Sequence, residues 1–316
     1  MPIYVLNASN QRAHIPAGPL SVSITGSVHD AALELHAGPA QPVMRSNARH
    51  VVLPELSGPV TIAVRPASST RFAAGTVVHL AIAHDIPTEV DPVQVHFDPI
   101  DVSGDAAVVF AELRPHGQHI EVAVSAVADT ALSPLAAAAR TSARRLIGRG
   151  TGQRGAELVV ALNVSASMRP WFADGSAAAA ADVVVGVADA LGIHNVAGVL
   201  VGATITEVNE IRLDGPGAPA AVPASGLADA VRQVQPRWSA GARWSRLRPD
   251  VATVACSDFP TSGVQEGFAV IALSNDYRVG GPRLPAPPPG HDAATELLSN
   301  PKVLDEITTG LVQALT

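Results

Sequence analysis

The feature that most constrains the fold is a change of pattern in the middle of the chain. Here an apolar run leads through a polar loop into a long segment rich in alanine and valine. Residues 158–162 are all apolar, as in a strand buried on both faces of a sheet, and residues 176–191 have the length and composition of a buried helix. Strand-like and helix-like runs continue to alternate after residue 191. This order predicts an α/β fold with a doubly wound, mainly parallel sheet that has helices on both faces.

The first 132 residues have a different pattern, in which short alternating apolar runs are separated by glycine, proline, asparagine and aspartate. Such runs predict an all-β region, either a sandwich or a partly closed barrel, and we favour the sandwich. A helix is then predicted from Ser133, as N-cap, and Pro134 to Gly148. We therefore predict a β-sandwich domain over residues 1–150 that ends in a linker helix, and an α/β domain over residues 151–316. The predicted strands are 20–24, 31–36, 50–53, 60–64, 77–83, 93–97, 106–113 and 120–127.

Composition excludes several classes of function. A net charge of −7 argues against a surface that coats nucleic acid. Cys256 is the only cysteine, so neither an internal disulfide nor a multi-cysteine metal site is possible. The N-terminus lacks the pattern of a signal peptide, and no run reaches the roughly 18 apolar residues of a membrane span. We therefore expect a cytoplasmic protein that does not bind membranes.

Polar side chains follow the apolar run at 158–162. Asn163, Ser165 and Ser167 stand at alternate positions, where the carboxyl end of a parallel strand opens into the ligand crevice of an α/β sheet. Hydroxyl and amide oxygens suit a hard divalent cation, although Asn163 brings no charge.

Sequence signatures of catalysis are absent. The chain has no Gly-x-Ser-x-Gly elbow, no phosphate-binding loop and no dinucleotide fingerprint after a strand. Ser165 or Ser167 would need an aligned base to act as a nucleophile, and His194 follows the far end of the next predicted helix. The histidine pairs His79/His84 and His116/His119 lack further ligands at a fixed spacing. We predict that the protein is not an enzyme.

Residues 160–176 resemble the first loop of von Willebrand factor A-type domains, in particular the bacterial branch found in tellurium-resistance and related stress operons. Members of that branch have Asp-x-Ser-Gly-Ser-Met-Arg-Pro, an aromatic residue and then Asp-Gly, and this chain has Asn-Val-Ser-Ala-Ser-Met-Arg-Pro-Trp followed by Asp-Gly. Residues 257–260 are similar to the family's Thr-Asp-Gly-x-Pro. Residues 239–244 fall where the family has Gly-Gly-Thr-Asn-Tyr.

The resemblance implies a metal-ion-dependent adhesion site that is degenerate in this chain. In the family, the first-loop aspartate and serines, a threonine and a later aspartate hold the metal. Here Asn163 replaces the first aspartate and Ala242 replaces the threonine, whereas Ser165, Ser167 and Asp258 are kept. Loss of one charge and one ligand should weaken binding of Mg²⁺ or Ca²⁺ severely. We therefore expect no cofactor, with Ser165, Ser167 and Asp258 as the remaining candidate metal ligands.

Residues 106–114 and 120–124 are similar to paired strands of the tellurium-resistance D type of β-sandwich, which binds calcium. The acidic residues that would serve such a site are few, and Asp91, Asp98, Asp101 and Asp105 form the only dense run. An alternative function is therefore a calcium or metal-ion sensor that acts through the N-terminal domain.

Tryptophan and arginine are concentrated in the predicted loops near the crevice. These residue types dominate the energetics of protein interfaces, and arginine favours a partner with an anionic or carboxylate-bearing epitope. The alternative is that the tryptophans pack under the loops and the arginines are simply solvated. We predict a non-catalytic protein–protein interaction module, an adaptor in a bacterial stress-response or tellurium-resistance-like system. The candidate contact residues are Arg169, Trp171, Trp238, Arg243, Trp244 and Arg246.

Overall fold

A computed structural model describes residues 3–7, 11–84, 92–126, 132–148, 157–193, 195–212, 226–248, 250–258 and 267–316, with only the backbone of 209–212. The chain divides into two compact units, the first ending at Thr130 and the second beginning at Ala131.

The first unit is all β. Its strands form two sheets, one in the order β1-β9-β8-β3-β6-β5 with β10 paired to β8, and one in the order β2-β12-β11-β7-β4. All neighbouring pairs are antiparallel except β1 with β9. The strands are β1 Ile3–Leu6, β2 Arg12–Pro16, β3 Leu20–Ser27, β4 Ala31–Ala37, β5 Met44–Asn47, β6 His50–Leu53, β7 Val60–Pro66, β8 Val77–His84, β9 Gln94–Phe97, β10 Ile100–Asp101, β11 Val108–His116 and β12 His119–Val124.

One apolar core holds the two sheets together. In β8 buried and half-buried residues alternate, so that Val78, Leu80 and Ile82 point inward. They belong to the same buried cluster as Ile62 and Leu113 of the other sheet. Because alternate side chains of a strand point to opposite faces, this burial pattern explains why the apolar alternation located these strands in the sequence.

The second unit combines a six-stranded sheet with helices. The strand order is β15-β14-β13-β16-β17-β18, and all pairs are parallel except the β14–β15 hairpin. The predicted combination of an all-β region and an α/β region is therefore confirmed. The elements are α1 Pro134–Ile147, β13 Glu157–Asn163, α2 Arg169–Ala173, α3 Ser176–Leu191, β14 Asn195–Val201, β15 Ile205–Arg212, α4 Gly226–Gln233, β16 Ala252–Ser257, β17 Ala269–Leu273, β18 Arg283–Leu284, α5 Ala293–Ser299 and α6 Pro301–Leu315.

The helix predicted as a linker at the end of the first domain belongs to the second unit. Ser133 caps α1 as predicted, accepting a hydrogen bond from the backbone of Ala136. However, the alanines of α1 pack into the core of the second unit, and Ser142 Oγ lies 2.5 Å from Asp305 Oδ1 and 2.6 Å from Thr308 Oγ1 in α6. The predicted boundary at residue 150 is wrong, since it places α1 on the other side of the division from its packing partners.

The helices of the second unit lie on one face of the sheet. Buried residues of α1, α3, α4, α5 and α6 form a single cluster with Val160, Leu162 and Val254. On the opposite face, Ala161 and Val201 contact Trp244 and Leu247 of a loop with one 3₁₀ turn. No helix covers this second face among the described residues, so the doubly wound arrangement with helices on both faces is not seen there.

Within the described residues, no single helix is long and apolar enough to cross a bilayer. One helix pair in the described part of the chain, Ala166–Ala173 with Ser176–Leu191, reaches that length and composition when the two are taken together, and the pair is bent by 75°.

A buried carboxylate lies where α1, α3 and α4 meet. Asp182 Oδ2 accepts a 2.8 Å hydrogen bond from the hydroxyl of Ser133, while the buried Oδ1 has no hydrogen-bond partner in the described part of the chain. Burial raises the pKa of Asp182 to about 6, against the smaller lowering effects of Ser133 and Arg232; the charge of Asp229 raises it further. The ionised form of this residue is therefore disfavoured in the folded chain.

We expect Asp182→Asn to stabilise the second unit at neutral pH. Because the pKa of Asp182 is raised from 3.8 to about 6, its ionisation lowers the free energy of unfolding as pH rises through that window, and the loss persists above it. At about 1.4 kcal/mol per pKa unit, the variant gains at most roughly 3 kcal/mol of unfolding free energy over the wild type at pH 7.5, and this gain vanishes near pH 3.5. Urea unfolding followed by tryptophan emission measures it, since all three tryptophans lie in the second unit. A gain of equal size at both pH values would contradict the assignment.

Candidate functional site

The carboxyl ends of β13 and β16 bring predicted site residues together. Asn163, which ends β13, is buried and donates from Nδ2 to Ser257 Oγ at 2.9 Å and to Asp258 Oδ1 at 3.4 Å. Its Oδ1 accepts a 2.8 Å hydrogen bond from the backbone N–H of Ser165. The amide of Asn163 therefore connects the loop after β13 to the loop after β16.

A third loop joins this cluster through backbone hydrogen bonds. Ser239 pairs with Ser165 in an isolated parallel bridge, accepts a hydrogen bond from the N–H of Ala166 at 3.0 Å and donates one to the carbonyl of Val164 at 3.0 Å. The hydroxyl oxygens of Ser165 and Ser167 are 2.9 Å apart. The structure thus brings Asn163, Ser165, Ser167 and Asp258, the positions identified by the resemblance, into one cluster.

Two contributors to this cluster were missed by sequence reasoning. Ser239 stands at the start of the segment compared with the family's Gly-Gly-Thr-Asn-Tyr, but its main role here is a backbone one, which side-chain chemistry does not reveal. Met168 is fully buried, and its sulfur accepts a 3.3 Å hydrogen bond from the N–H of Asp258. Residues Phe259 and Pro260, which follow in the predicted motif, lie outside the described residues.

Ala242 contributes packing and no polar atom. Its methyl group lies against the apolar cluster of Val201, Trp244 and Ala255 on the face of the sheet opposite the helices. The position compared with the family's threonine therefore supplies no side-chain oxygen to the loop cluster.

The predicted contact residues do not form one surface. On the helix side, the guanidinium of Arg169 lies 5.5 Å from the centre of the Trp238 ring, and Phe172 meets the same ring edge-on at 5.4 Å. Trp171 is half-buried against the main core. Trp238 and Arg169 line a groove of about 460 Å³.

The other candidates lie on or beside the opposite face of the sheet. Trp244 is only 6% exposed and packs with Leu247 and Val199, so its prediction as a contact residue is wrong. The sequence placed it in a loop but did not show that this loop covers a sheet face. Arg246 is exposed and donates to the carbonyl of Ala203 at 2.9 Å, and it lines a separate cavity of about 680 Å³. The side chain of Arg243 is exposed.

Candidate metal-binding residues of the first unit are dispersed. Asp101 Oδ1 accepts a hydrogen bond from the N–H of Ser103, and Asp105 is buried. His84 Nε2 contacts the carbonyl of Pro16 at 2.7 Å, and the burial pattern of β8 puts His79 on the opposite face of the strand. No group of three or more histidine, cysteine, aspartate or glutamate side chains is placed to hold a metal ion in the described ranges. Asp91 and His194 lie outside those ranges.

Comparison with known proteins adds no relative. No protein-family model matches the chain, and a search of curated proteins finds no significant match.

Proposed function

We propose that the second unit is a non-catalytic protein-binding module related to the von Willebrand factor A-type domains of the tellurium-resistance and stress-operon branch, and that it works without a metal ion. The hydrogen bonds of Asn163 are the single observation that supports this most. Its amide nitrogen occupies the middle of the strand-end cluster, where the family pattern implies a carboxylate oxygen.

The donor set at this cluster does not fit Mg²⁺ or Ca²⁺. Both ions require several oxygen ligands, and Mg²⁺ requires near-octahedral geometry. The Nδ2 group of Asn163 is a hydrogen-bond donor and cannot ligate a cation. Ser165 and Ser167 bond to each other, and Asp258 is the one carboxylate of the cluster among the described residues. The cluster therefore serves to connect the loops.

The whole chain is then proposed to act as a cytoplasmic adaptor in a bacterial stress-response or tellurium-resistance-like system. The exposed arginines and the half-buried Trp238 near the loop cluster favour a protein partner with an anionic or carboxylate-bearing epitope. The first unit would carry the module or bind a second partner.

Calorimetric titration of the full chain with Mg²⁺, Mn²⁺ and Ca²⁺ tests the metal-free mechanism. We expect no binding with a Kd below about 1 mM, since even low-affinity protein calcium sites fall under that value. Binding of Mg²⁺ accompanied by a change in tryptophan emission would place a metal in the second unit and overturn the proposal. Micromolar Ca²⁺ binding without that change would instead support a sensor that acts through the first unit.

A protein partner is tested by chemical crosslinking in the source cells, followed by purification of the tagged full chain. We expect one crosslinked protein recovered in stoichiometric amount, and unchanged recovery when the cells are treated with a chelator. Failure to recover any crosslinked protein would contradict the adaptor function.

A further inference from the structure

The groove beside α2 and α4 has an apolar lining and a cationic edge. Phe172, Val231, Pro236 and Trp238 contribute the apolar surface, and Val231 is buried while the aromatic rings are half-exposed. At about 460 Å³, the groove is large enough to hold one or two side chains of a partner. It does not include the strand-end residues Asn163, Ser165, Ser167 or Asp258.

The charge of the groove is positive. Arg169 is exposed and forms no ion pair with any residue that the structure describes. Arg232 also lines the groove and pairs with Asp229 at 3.0 Å, but the two side chains are 38% and 58% exposed, so solvent screens the pair and it contributes little. No acidic residue lines the groove in the part of the chain that the structure describes.

The Arg169 side chain is oriented by its ring contacts. Its guanidinium lies 5.5 Å from the centre of the Trp238 ring, and Phe172 supports that ring edge-on. A cation–π contact of this kind restricts the position of the guanidinium while leaving N–H groups able to bind a carboxylate in a bidentate manner. The arrangement lowers the conformational entropy lost on binding an anion.

We propose that this groove, and not the strand-end loop cluster, is the docking site for an acidic peptide segment of the protein partner. A carboxylate of that segment binds Arg169, and a neighbouring apolar side chain inserts between Trp238 and Val231. A single-stranded nucleic acid fits less well, because base stacking needs an open aromatic face and the Arg169 guanidinium lies over one face of Trp238, 5.5 Å from the ring centre. This inference rests on the proposed function and specifies its partner.

A fluorescein-labelled peptide with one leucine between two pairs of glutamates tests the groove. Binding to the full chain is measured by anisotropy at low salt, beside the same peptide with glutamine at every glutamate position and a single-stranded oligonucleotide of similar length. We expect sub-millimolar binding of the glutamate peptide, at least about tenfold weaker binding of the glutamine peptide, and still weaker binding of the oligonucleotide. Preference for the oligonucleotide would overturn the peptide assignment.

Substitutions locate the binding on the chain. Arg169→Gln changes an exposed side chain, so the fold is retained, and we expect about a tenfold loss of peptide affinity. Trp238→Ala should cause a comparable loss. The matched control is Arg278→Gln, because Arg278 also lies over an exposed aromatic ring, 5.7 Å from the centre of Tyr277, but does not line the groove. No measurable peptide binding, or equal losses in Arg169→Gln and Arg278→Gln, would overturn the docking site.

Different results would contradict the docking site in the groove and the adaptor function. If crosslinking recovers a partner whose yield is unchanged by Arg169→Gln, the groove is not the docking site and the adaptor function stands. If the peptide binds as expected but no protein is crosslinked to the wild-type chain, the groove binds acidic peptides and the adaptor function is wrong.

Discussion

Gly186→Ala is expected to destabilise the second unit more than any other single-methyl change we identify. A Cβ atom at this position would lie 2.1 Å from the carbonyl oxygen of Ala136 and 2.9 Å from the Cβ of Ala139. The first of these contacts is with the backbone of α1, so it is relieved only if α1 moves as a whole. Overpacking in a core typically costs about 1–3 kcal/mol, and a backbone obstacle places this change at or above the upper end.

The loss would be measured by urea unfolding followed by tryptophan emission. Alanine has a higher helix propensity than glycine by about 1 kcal/mol, so the net loss of unfolding free energy should be about 2 kcal/mol or more. Gly280→Ala is the control, because a Cβ there would meet no atom within 4 Å. A variant of Gly186 that is as stable as the wild type would show that α1 does not pack closely on α3.

Asn163→Asp is expected to make the stability of the second unit depend on Mg²⁺. The substitution removes the hydrogen bonds that Nδ2 donates to Ser257 and Asp258, and it places a buried carboxylate beside the half-buried carboxylate of Asp258. An uncompensated buried charge costs about 3–5 kcal/mol, so the variant should be strongly destabilised in the presence of a chelator. A cation would neutralise the two carboxylates and find the hydroxyls of Ser165 and Ser167 close by.

Thermal unfolding with chelator and with millimolar Mg²⁺ separates this explanation from simple loss of a hydrogen bond. The Asp variant should recover several degrees of its lost melting temperature with Mg²⁺. The wild type and Asn163→Ala should not respond, because neither brings two carboxylates together. A wild-type response as large as that of the Asp variant would show that the amide does not exclude a metal.

The eight strands predicted for the first unit could be recognised in the sequence because each depends on local pattern, whereas β1, β2, β5 and β10 were not predicted. Alternating burial in β8 and the apolar run of β13 are set by which residues face a core. Because β13 and β16 are parallel, their carboxyl ends lie at the same edge of the sheet. Asn163 and Asp258 were expected in one site because their motifs resemble those of the A-type family, and the hydrogen bond between them was not foreseen.

Other features depended on contacts between distant segments. The alanine-rich α1 would have the same local sequence pattern as a linker between two domains or as a helix packed on α3. The close approach of α1 to Gly186 of α3 shows that it packs, and this approach is visible only in the folded structure. Trp244 was correctly predicted to lie in a loop, but its burial follows from the sheet face that this loop crosses, which the sequence does not show. The position of α1 and the burial of Trp244 are determined by tertiary packing, which overrides local propensity.

The contact of α1 with α6 also has a consequence for synthesis of the chain. The first helix of the second unit touches its last helix through Ser142, Asp305 and Thr308. During translation, α1 and α3 emerge from the ribosome well before α6 is made. Their apolar faces therefore cannot be fully covered until α6 follows, whereas the strands that the structure describes in the first unit all end before residue 125. The two units are thus set to fold one after the other, and the second has the longer interval in which chaperones can bind it.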